Sequence, residues 1–340
     1  MLEFKKYNSI ENTFNKDFMD KIKTEGLSSL QYVVQEKVHG SNCCFVTDGQ
    51  EVRFAKRTSF VESGEIFYNF EELYERYKEK VIHLFNRVRS KYTDLESLSI
   101  YGEMFGGRYP HTDVKNDTKV MCIQKGVFYC PYHEFYAFDL YIRGTENRKY
   151  LSVDEINDLF EEGKFFYARS LHQGTLDECL QYPNTFQSRI AEWLGLPPIE
   201  DNICEGIIIR PVEIVFLRNG SRLMLKNKNS RFAEKKSVKK RQPSLFVEPT
   251  YSEQLKNLLN ITEEFVNENR LNNVVSKIGE ISVPKDFGKL MGFLSKDILG
   301  DFLKEQASNY ALLEKSEQKI VNQHINKQAT ALIKKVYMNS

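Results

Sequence analysis

The sequence predicts an α+β domain of antiparallel strands with flanking helices, followed by a smaller all-α domain. Up to about residue 230, short apolar runs separated by Gly-containing turns are interspersed with helical patterns. From about residue 251 to the end, the spacing is helical and no sustained alternating pattern occurs. The 340 residues suit two domains. The character changes in the basic run KKSVKKRQP, so we place the domains at residues 1–240 and 241–340.

Four segments have the composition and turn signals of strands. The segment QYVVQEKVHGSNCCFVTDGQEVRFAKRTSF predicts two strands about an Asp48–Gly49 turn, a strong hairpin signal. LSIYGEMFGG and HEFYAFDLYIRG predict single strands. EGIIIRPVEIVFLRNGSRLMLKNK predicts two more strands about Asn219–Gly220.

Two helices are predicted among these strands. NFEELYERYKEKVIHLFNRVRSKY has apolar residues at helical spacing and predicts an amphipathic helix. SVDEINDLFEEG predicts a second helix, with Ser152 as its N-cap.

Composition excludes some classes of protein. The net charge is +1, yet the stretch from Lys226 to Arg241 is strongly basic, which suits either a polyanion or a solvated linker. No stretch approaches the ~20 apolar residues of a membrane span, and the start has no signal-peptide pattern. The six cysteines have no zinc-site spacing, so we expect reduced thiols and a cytoplasmic location, in the host cytoplasm if the protein is viral.

Lys37 is the candidate nucleophile. It lies in Glu36-Lys37-Val38-His39-Gly40-Ser41-Asn42, between the apolar runs VVQ and CCFV. A lysine becomes nucleophilic when burial and neighbouring cations lower its pKa, and Gly40 would leave space for a phosphate or sugar near the backbone. The simpler interpretation is an exposed charge on a strand.

Further elements supply the other groups that nucleotide chemistry needs. Arg57 is expected to close the hairpin opposite Lys37 and to reach a phosphate, or else to be a surface arginine. Glu103, between glycines at a strand end, suits ribose hydroxyls or a hydrated metal, and Phe138 offers either an aromatic plate for a purine or plain core.

The last elements are Glu205, with Arg210 at the far end of the same strand, and the pair Lys226 and Lys228. The two lysines are two residues apart, so they face one side of a strand, where an anion such as a triphosphate would relieve their repulsion. This inventory predicts transfer of a nucleotidyl group from a nucleoside triphosphate with Mg²⁺ held by Glu103 and Glu205. The P-loop signature is absent from the sequence, which excludes that class of NTPase.

With these blocks in order, the chain resembles the covalent nucleotidyltransferases, and within them the type 2 RNA ligases, which include phage nick-sealing enzymes and trypanosome editing ligases. Lys37-Val38-His39-Gly40 resembles their RNA-specific variant of Lys-x-Asp-Gly. RNGSRLMLKNKNSRFAEKK and NRLNNVVSKIGEISVPKDFGKLMGFLSKDIL resemble the phage branch. The resemblance covers nearly the whole chain and implies an ATP-grasp-like nucleotidyltransferase fold.

The resemblance also implies roles for individual residues. Lys37 would take AMP from ATP, and Glu103 and Glu205 would assist the ribose, nucleotide and metal (Mg²⁺, with Mn²⁺ as a substitute). Residues placed around the adenylate and phosphates are Glu36, Val38, His39, Asn42, Arg57, Phe138, Arg210, Lys226 and Lys228. In the helical domain, Arg270 and Asp297 would engage the nucleic acid, although a helix-surface role suits Asp297 as well.

The implied function is ATP-dependent sealing of 3′-OH/5′-phosphate nicks in double-stranded RNA or an RNA–DNA hybrid, by a protein that works as a monomer and needs no membrane. Two alternatives stay open. A capping-type guanylyltransferase would use GTP, and a non-catalytic homologue would only bind duplex RNA. The His39 variant and the helical tail disfavour capping, and the complete set of Lys37, Glu205, Lys226 and Lys228 disfavours an inactive protein.

Overall fold

The computed structural model describes residues 2–233 and 251–338, in which two five-stranded sheets precede a set of helices. Two compact units divide between Arg231 and Phe232. The predicted boundary at residue 240 and the end of the basic run at Pro243 lie outside the described residues.

The two sheets of the first unit are built mainly from antiparallel pairs. The first sheet has the order β1 (Glu11–Asn12), β10 (Leu225–Lys228), β9 (Gly206–Pro211), β2 (Tyr32–Glu36) and β8 (Ser170–Gly174). The second has the order β4 (Val52–Lys56), β3 (Ser41–Thr47), β5 (Leu95–Gly106), β6 (His133–Gly144) and β7 (Arg148–Tyr150). The β1–β10 pair is parallel.

The chain changes sheets between β2 and β3, which corrects the predicted hairpin. The prediction of one strand running through Lys37 into the Asp48–Gly49 turn was wrong, because β2 ends at Glu36 and pairs with β9, whereas β3 pairs with β4 and β5. Only the β3–β4 half is a hairpin. A Cβ on Gly40 would lie 2.2 Å from the Met104 carbonyl oxygen, so the crossing passes directly against β5.

The segment from Gly206 to Lys228 is also less regular than predicted. β9 ends at Pro211 and β10 begins at Leu225. The Asn219–Gly220 turn closes a smaller loop, in which Gly220 N donates to Leu217 O at 2.8 Å.

Helices cover the outer face of each sheet. On the second sheet lie α2 (Phe70–Lys91) and α3 (Val153–Glu162), both as predicted, and Ser152 Oγ accepts from Glu155 N to cap α3. On the first sheet lie α1 (Lys16–Thr24) and α4 (Leu176–Gln181); the short α5 (Ile190–Trp193) follows.

A third apolar layer lies between the two sheets. It joins residues of both sheets and of the N-terminal segment: Leu2, Tyr7, Cys44, Val46, Ala55, Phe60, Tyr101, Tyr150 and Met224. Phe138 and Ile208 pack against this layer from opposite sheets.

The second unit is helical over its described residues, as predicted. Its helices are α6 (Glu253–Glu264), α7 (Glu268–Ile278), α8 (Phe287–Ala311) and α9 (Lys315–Tyr337). They share one apolar core, which includes Leu258, Leu271, Leu294, Ile298, Phe302, Val321 and Ile325. Within the described residues, we find no helix with the length and apolar character needed to cross a membrane.

Candidate active site

Two lysines converge on the carboxylate of Glu205. Lys37 Nζ lies 2.6 Å from Glu205 Oε2, and Lys228 Nζ lies 2.9 Å from Oε1. His39 Nδ1 lies 3.6 Å from Oε2. The Glu205 side chain is 1% exposed, while Lys37 and Lys228 are 18% and 11% exposed, so the cations stand at the open side of the cluster.

Strand register explains why residues so distant in sequence meet here. β9 lies between β2 and β10, with Gly206 directly opposite Lys228. Lys37 follows the last residue of β2, and its backbone N donates to Gly206 O at 3.0 Å. Glu205 immediately precedes β9. The ends of three adjacent strands therefore bring the three charged side chains together.

Electrostatics fixes the protonation of Glu205 and His39. Burial alone would raise the pKa of Glu205, but Lys228, Lys37 and His39 hold it well below its usual range, so the group is a carboxylate at neutral pH. Burial lowers the pKa of His39, against the opposing pull of Glu205. The cluster thus presents a carboxylate, two lysines and a neutral imidazole.

Glu103 is a second carboxyl group beside Lys37. Its Cγ lies 2.9 Å from the place where a Cβ on Gly40 would stand. Met104 and Glu103 therefore fill the space at Gly40 that the sequence suggested for a phosphate or sugar. Burial raises the pKa of Glu103 to about 7, with Glu205 adding to the effect and Lys37 and Arg57 opposing it.

Arg57 belongs to this neighbourhood, although not in the predicted way. It follows β4, whose partner in the hairpin is β3, so it cannot close a hairpin opposite Lys37. Its charge instead acts on Glu103, whose pKa it helps to lower. Asn42, on β3, donates from Nδ2 to Gly102 O at 3.3 Å and lies directly opposite Glu103 in the β3–β5 register.

The turn that carries Lys37 is held by groups that sequence reasoning missed. Glu36 accepts from Ser188 Oγ at 2.6 Å and from Arg189 N at 2.9 Å, and burial raises its pKa to about 7. Tyr136 OH donates to Glu36 O at 3.3 Å, and His39 N donates to Tyr129 OH at 2.8 Å.

None of these partners has a local sequence signal, because each lies on a distant loop or strand. Val38, in the same turn, is 4% exposed.

Phe138, the predicted plate for the base, and Lys226, the other lysine of β10, lie along the apolar layer between the sheets. Phe138, on β6, is partly buried, and Tyr7 packs edge-on against it with ring centroids 5.2 Å apart. Lys226 pairs with Ile208 in the β9–β10 register and is two residues from Lys228, so the two lysines share a face as predicted.

Arg210 is brought to a different cluster. Its guanidinium is 1% exposed and lies 3.3 Å from Asp139 Oδ1, with a further hydrogen bond of 3.0 Å to Phe138 O. Asp139 also accepts from Arg222 at 2.6 Å and from Tyr7 OH at 2.7 Å. The structure does not place Arg210 with Lys37, and its role at a phosphate stays a prediction.

In the helical unit, Arg270 and Asp297 contact each other. Arg270 Nη1 lies 2.6 Å from Asp297 Oδ2 and 2.9 Å from Asp301 Oδ2, and Lys277 Nζ lies 2.7 Å from Asp297 Oδ1. The Arg270 side chain is 2% exposed. These groups join α7 to α8, and a contact with nucleic acid by either residue stays a prediction.

Within residues 2–233 and 251–338, no group of three or more His, Cys, Asp or Glu side chains is arranged to hold a metal by itself. Glu103 and Glu205 together supply two carboxyl groups beside Lys37, and the charge of Glu205 helps to raise the pKa of Glu103. Two carboxylates suit Mg²⁺, which keeps most of its waters and takes its remaining ligands from phosphate oxygens.

Comparison with known proteins places the chain in a family. Residues 30–228 match the RNA ligase family, and residues 249–331 match the T4 RNA ligase 2 C-terminal family. The chain is 29% identical over 335 residues to RNA-editing ligase 1, mitochondrial, of Trypanosoma brucei brucei, a match that spans 82% of this chain and 71% of the relative. RNA-editing ligase 2, mitochondrial, of the same species is 27% identical over 354 residues, spanning 89% of this chain and 83% of the relative.

A solved Naegleria gruberi RNA ligase is similar to the chain at 15% identity and a TM-score of 0.45, over 67% of this chain and 57% of that one. This chain thus spans somewhat more than half the length of that ligase. The two family matches together cover both units of the molecule. The chain therefore belongs to the RNA ligase family of enzymes and includes the C-terminal domain typical of T4 RNA ligase 2.

Proposed function

We propose that the protein is an ATP-dependent RNA ligase that seals 3′-OH/5′-phosphate nicks in duplex RNA through a covalent lysyl–AMP at Lys37. The observation that carries the proposal is the Glu205 carboxylate between Lys37 and Lys228, at 2.6 and 2.9 Å. It fixes the Lys37 amine at the open side of the cluster, with a second cation beside it for phosphate. The match to the RNA ligase family supports RNA as the substrate.

The first step follows from these groups. Lys37 Nζ, after losing a proton, attacks the α-phosphorus of ATP; an N–P bond forms, the bond to the bridging oxygen breaks, and pyrophosphate leaves. Lys228, and Lys226 on the same face of β10, would offset charge on the phosphate oxygens. The AMP then passes to the 5′-phosphate of the nick, and the 3′-OH displaces AMP to form the phosphodiester.

Other residues are proposed to bind and orient the nucleotide. Phe138 and Ile208 flank the layer between the sheets, where a purine would lie against the Phe138 ring. Glu103, aided by Arg57 and Asn42 nearby, would take the ribose. Glu36, Val38 and His39 shape the turn around the adenylate.

Glu103 and Glu205 are the groups that would hold a hydrated Mg²⁺, or Mn²⁺ in its place. Bound there, the ion would offset phosphate charge. A divalent cation would also favour the ionised form of Glu103, whose pKa burial otherwise raises to about 7.

The division of labour between the domains is part of the proposal. Residues 1–240 would carry the adenylyl transfer, and the helical domain, 241–340, would engage the nicked duplex. Recognition of A-form shape and 2′-hydroxyls suits such a substrate. Action as a monomer stays a prediction. A cytoplasmic location also stays a prediction, since the curated relatives are named as mitochondrial.

The test is labelling of the pure protein with α-labelled ATP or GTP and Mg²⁺, after treatment with pyrophosphate to remove any AMP already bound. We expect label from ATP that survives denaturation and is lost in Lys37→Ala. The matched control is Lys91→Ala, which removes another lysine paired with a glutamate, Glu155 at 2.5 Å. It should label like the wild type.

Substrate preference is measured next, with nicked duplexes that carry RNA or DNA on the 3′-OH side. Sealing of the RNA-containing duplex is the expected result. Label from GTP alone would indicate a capping-type guanylyltransferase instead. Folded protein that takes no label from either nucleotide but binds duplex RNA would contradict the covalent mechanism and leave a binding protein.

A further inference from the structure

The connection between β5 and β6, residues 107–132, is far longer than the ~2–5 residues of an ordinary hairpin loop. Loops of this length within compact domains usually carry a function, because they cost conformational entropy to order. We call it the β5–β6 loop. A role for this loop in ligation depends on the proposed function.

The β5–β6 loop is attached to the turn that carries Lys37. Tyr129 OH accepts from His39 N at 2.8 Å, and Gln124 Nε2 donates to Gly40 O at 3.4 Å. Tyr129 and Gln124 are both buried. One side of the loop therefore lies directly against the turn after Lys37, at His39 and Gly40.

The loop also has a defined internal structure. Asn116 Oδ1 accepts from Tyr109 N at 2.6 Å, and Asn116 Nδ2 donates to Tyr109 O at 2.8 Å. Tyr109 is itself fully buried and donates from its hydroxyl to Pro197 O. Asn116 thus closes the chain back onto Tyr109, and Arg108 and Lys115 are the sequence neighbours of these two anchored residues.

The charged side chains that the loop exposes are mostly basic. The loop has two exposed acidic residues, Asp113 and Asp117. Its exposed cations number four: Arg108, Lys115, Lys119 and Lys125. Asp117 Oδ1 already accepts from Lys119 N at 2.8 Å. Among the described residues, none of the four cations takes part in an ion pair. They are free to meet an external anion.

We propose that the β5–β6 loop binds the phosphate backbone of the RNA strand whose end reacts beside Lys37. Exposed cations on an ordered scaffold neutralise phosphates and release counterions, which makes such binding depend strongly on salt. The contacts of Tyr129 and Gln124 attach the loop that carries these cations to the turn that carries Lys37, and this attachment is the reason for assigning the loop to the reacting end of the strand. Backbone contacts of this kind set the position of the strand without reading its sequence.

The experiment compares Arg108→Glu/Lys115→Glu with a matched control, Lys16→Glu/Lys23→Glu, which makes the same charge change at exposed positions of α1 on the outer face of the first sheet. Binding of a nicked RNA duplex is measured without ATP, between about 50 and 200 mM salt. Self-labelling with ATP is measured without RNA. Lys119→Glu/Lys125→Glu provides a second variant if the first does not fold.

We expect the loop variant to bind the duplex about tenfold or more weakly than the control, with the slope of log Kd against log salt reduced by about 1–2. Affinity and slope equal to those of the control would overturn the proposal, as would loss of self-labelling with unchanged duplex binding. A wild-type protein that takes no label from ATP would count against the proposed ligase instead. The two failures are therefore distinguishable.

Discussion

Two carboxylates in the N-terminal unit each lie between two basic side chains, but their surroundings differ. Glu205 lies between Lys37 and Lys228, which are 18% and 11% exposed. Asp139 lies between Arg210 and Arg222, which are 1% and 2% exposed. Both carboxylates have a pKa that their cations hold below the usual range in spite of burial.

The partners beyond the ion pairs separate the two clusters further. Asp139 also accepts from Tyr7 OH, and the Arg222 guanidinium lies 3.8 Å from the centroid of the Tyr150 ring. Together with the Arg210–Asp139 pair, these contacts tie the N-terminal segment to both sheets and close the cluster. Around Glu205, by contrast, both lysines are partly exposed. A carboxylate between two cations is thus closed off at Asp139, where it serves packing, and partly open at Glu205, where we propose that the chemistry takes place.

The largest expected effect is on stability, from Asp139→Asn. The substitution leaves two buried guanidinium groups facing a neutral amide, and breaking a buried ion pair by removing one partner costs about 3–5 kcal/mol. Urea unfolding would measure the loss. Asp139→Asn/Arg210→Met should lose less than the single variant, because one of the buried cations is also removed. Equal losses would show that the ion pair does not hold the closed cluster together.

Glu205→Gln should have the opposite pair of effects, a large loss of self-labelling and a small loss of stability. An amide cannot balance Lys37 and Lys228 as a carboxylate does, so self-labelling with ATP should fall about 100-fold or more. Stability should change much less than in Asp139→Asn, since both lysines reach solvent. Rapid-quench labelling measures the rate of self-labelling, and thermal unfolding of the same preparations measures the change in stability. A variant that labels normally but unfolds easily would place Glu205 with Asp139 as a packing group.

The dependence of stability on pH distinguishes the two acids beside Lys37. The pKa of Glu103 is raised from 4.5 to about 7, so the folded protein holds an extra proton between those values, and the stability this gives is lost as pH rises through about 7. Glu205 has a lowered pKa, so its contribution is present above 4.5 and is lost as pH falls below that value.

Glu103→Gln should therefore gain in Tm relative to the wild type as pH rises from about 5 to about 8, while Glu205→Gln should show no such gain. Parallel Tm curves for Glu103→Gln and wild type across this range would contradict the raised pKa. The measurement is made without metal, because a bound cation favours the ionised carboxylate.

The smallest expected effect is that of Tyr7→Phe. It removes one hydrogen bond to Asp139, which keeps both arginines, so we expect a loss of about 1–2 kcal/mol in the free energy of unfolding. Self-labelling of the folded variant should equal that of the wild type. Chemical denaturation and the labelling assay test this, and a large loss of labelling would mean that the closed cluster takes part in nucleotide binding.

Several candidate site residues that the structure brings together could be selected from the sequence, because they lie next to strand ends that have local signals. Glu205 adjoins a glycine and an apolar run, and Lys226 and Lys228 have the spacing of one strand face. The two-domain α+β and all-α architecture was likewise visible in the change of periodicity.

What could not be predicted depends on long-range packing. The change of sheet after Glu36 requires the contact of Gly40 with Met104, and the closed site of Arg210 requires Asp139 on another sheet. Tyr129, which accepts a hydrogen bond from His39 N in the turn that carries Lys37, lies in a loop with no local pattern that points to it. Residue types and spacing carry no information about such partners.

The most direct test of the covalent mechanism is to locate the AMP. Lys37 and Lys228 both contact Glu205, so labelling alone does not tell which amine reacts. Mass spectrometry of peptides from the protein incubated with ATP and Mg²⁺ separates them. We predict AMP on Lys37, with Lys228 unmodified. AMP on Lys228, or on neither lysine in a protein that takes label, would contradict the mechanism.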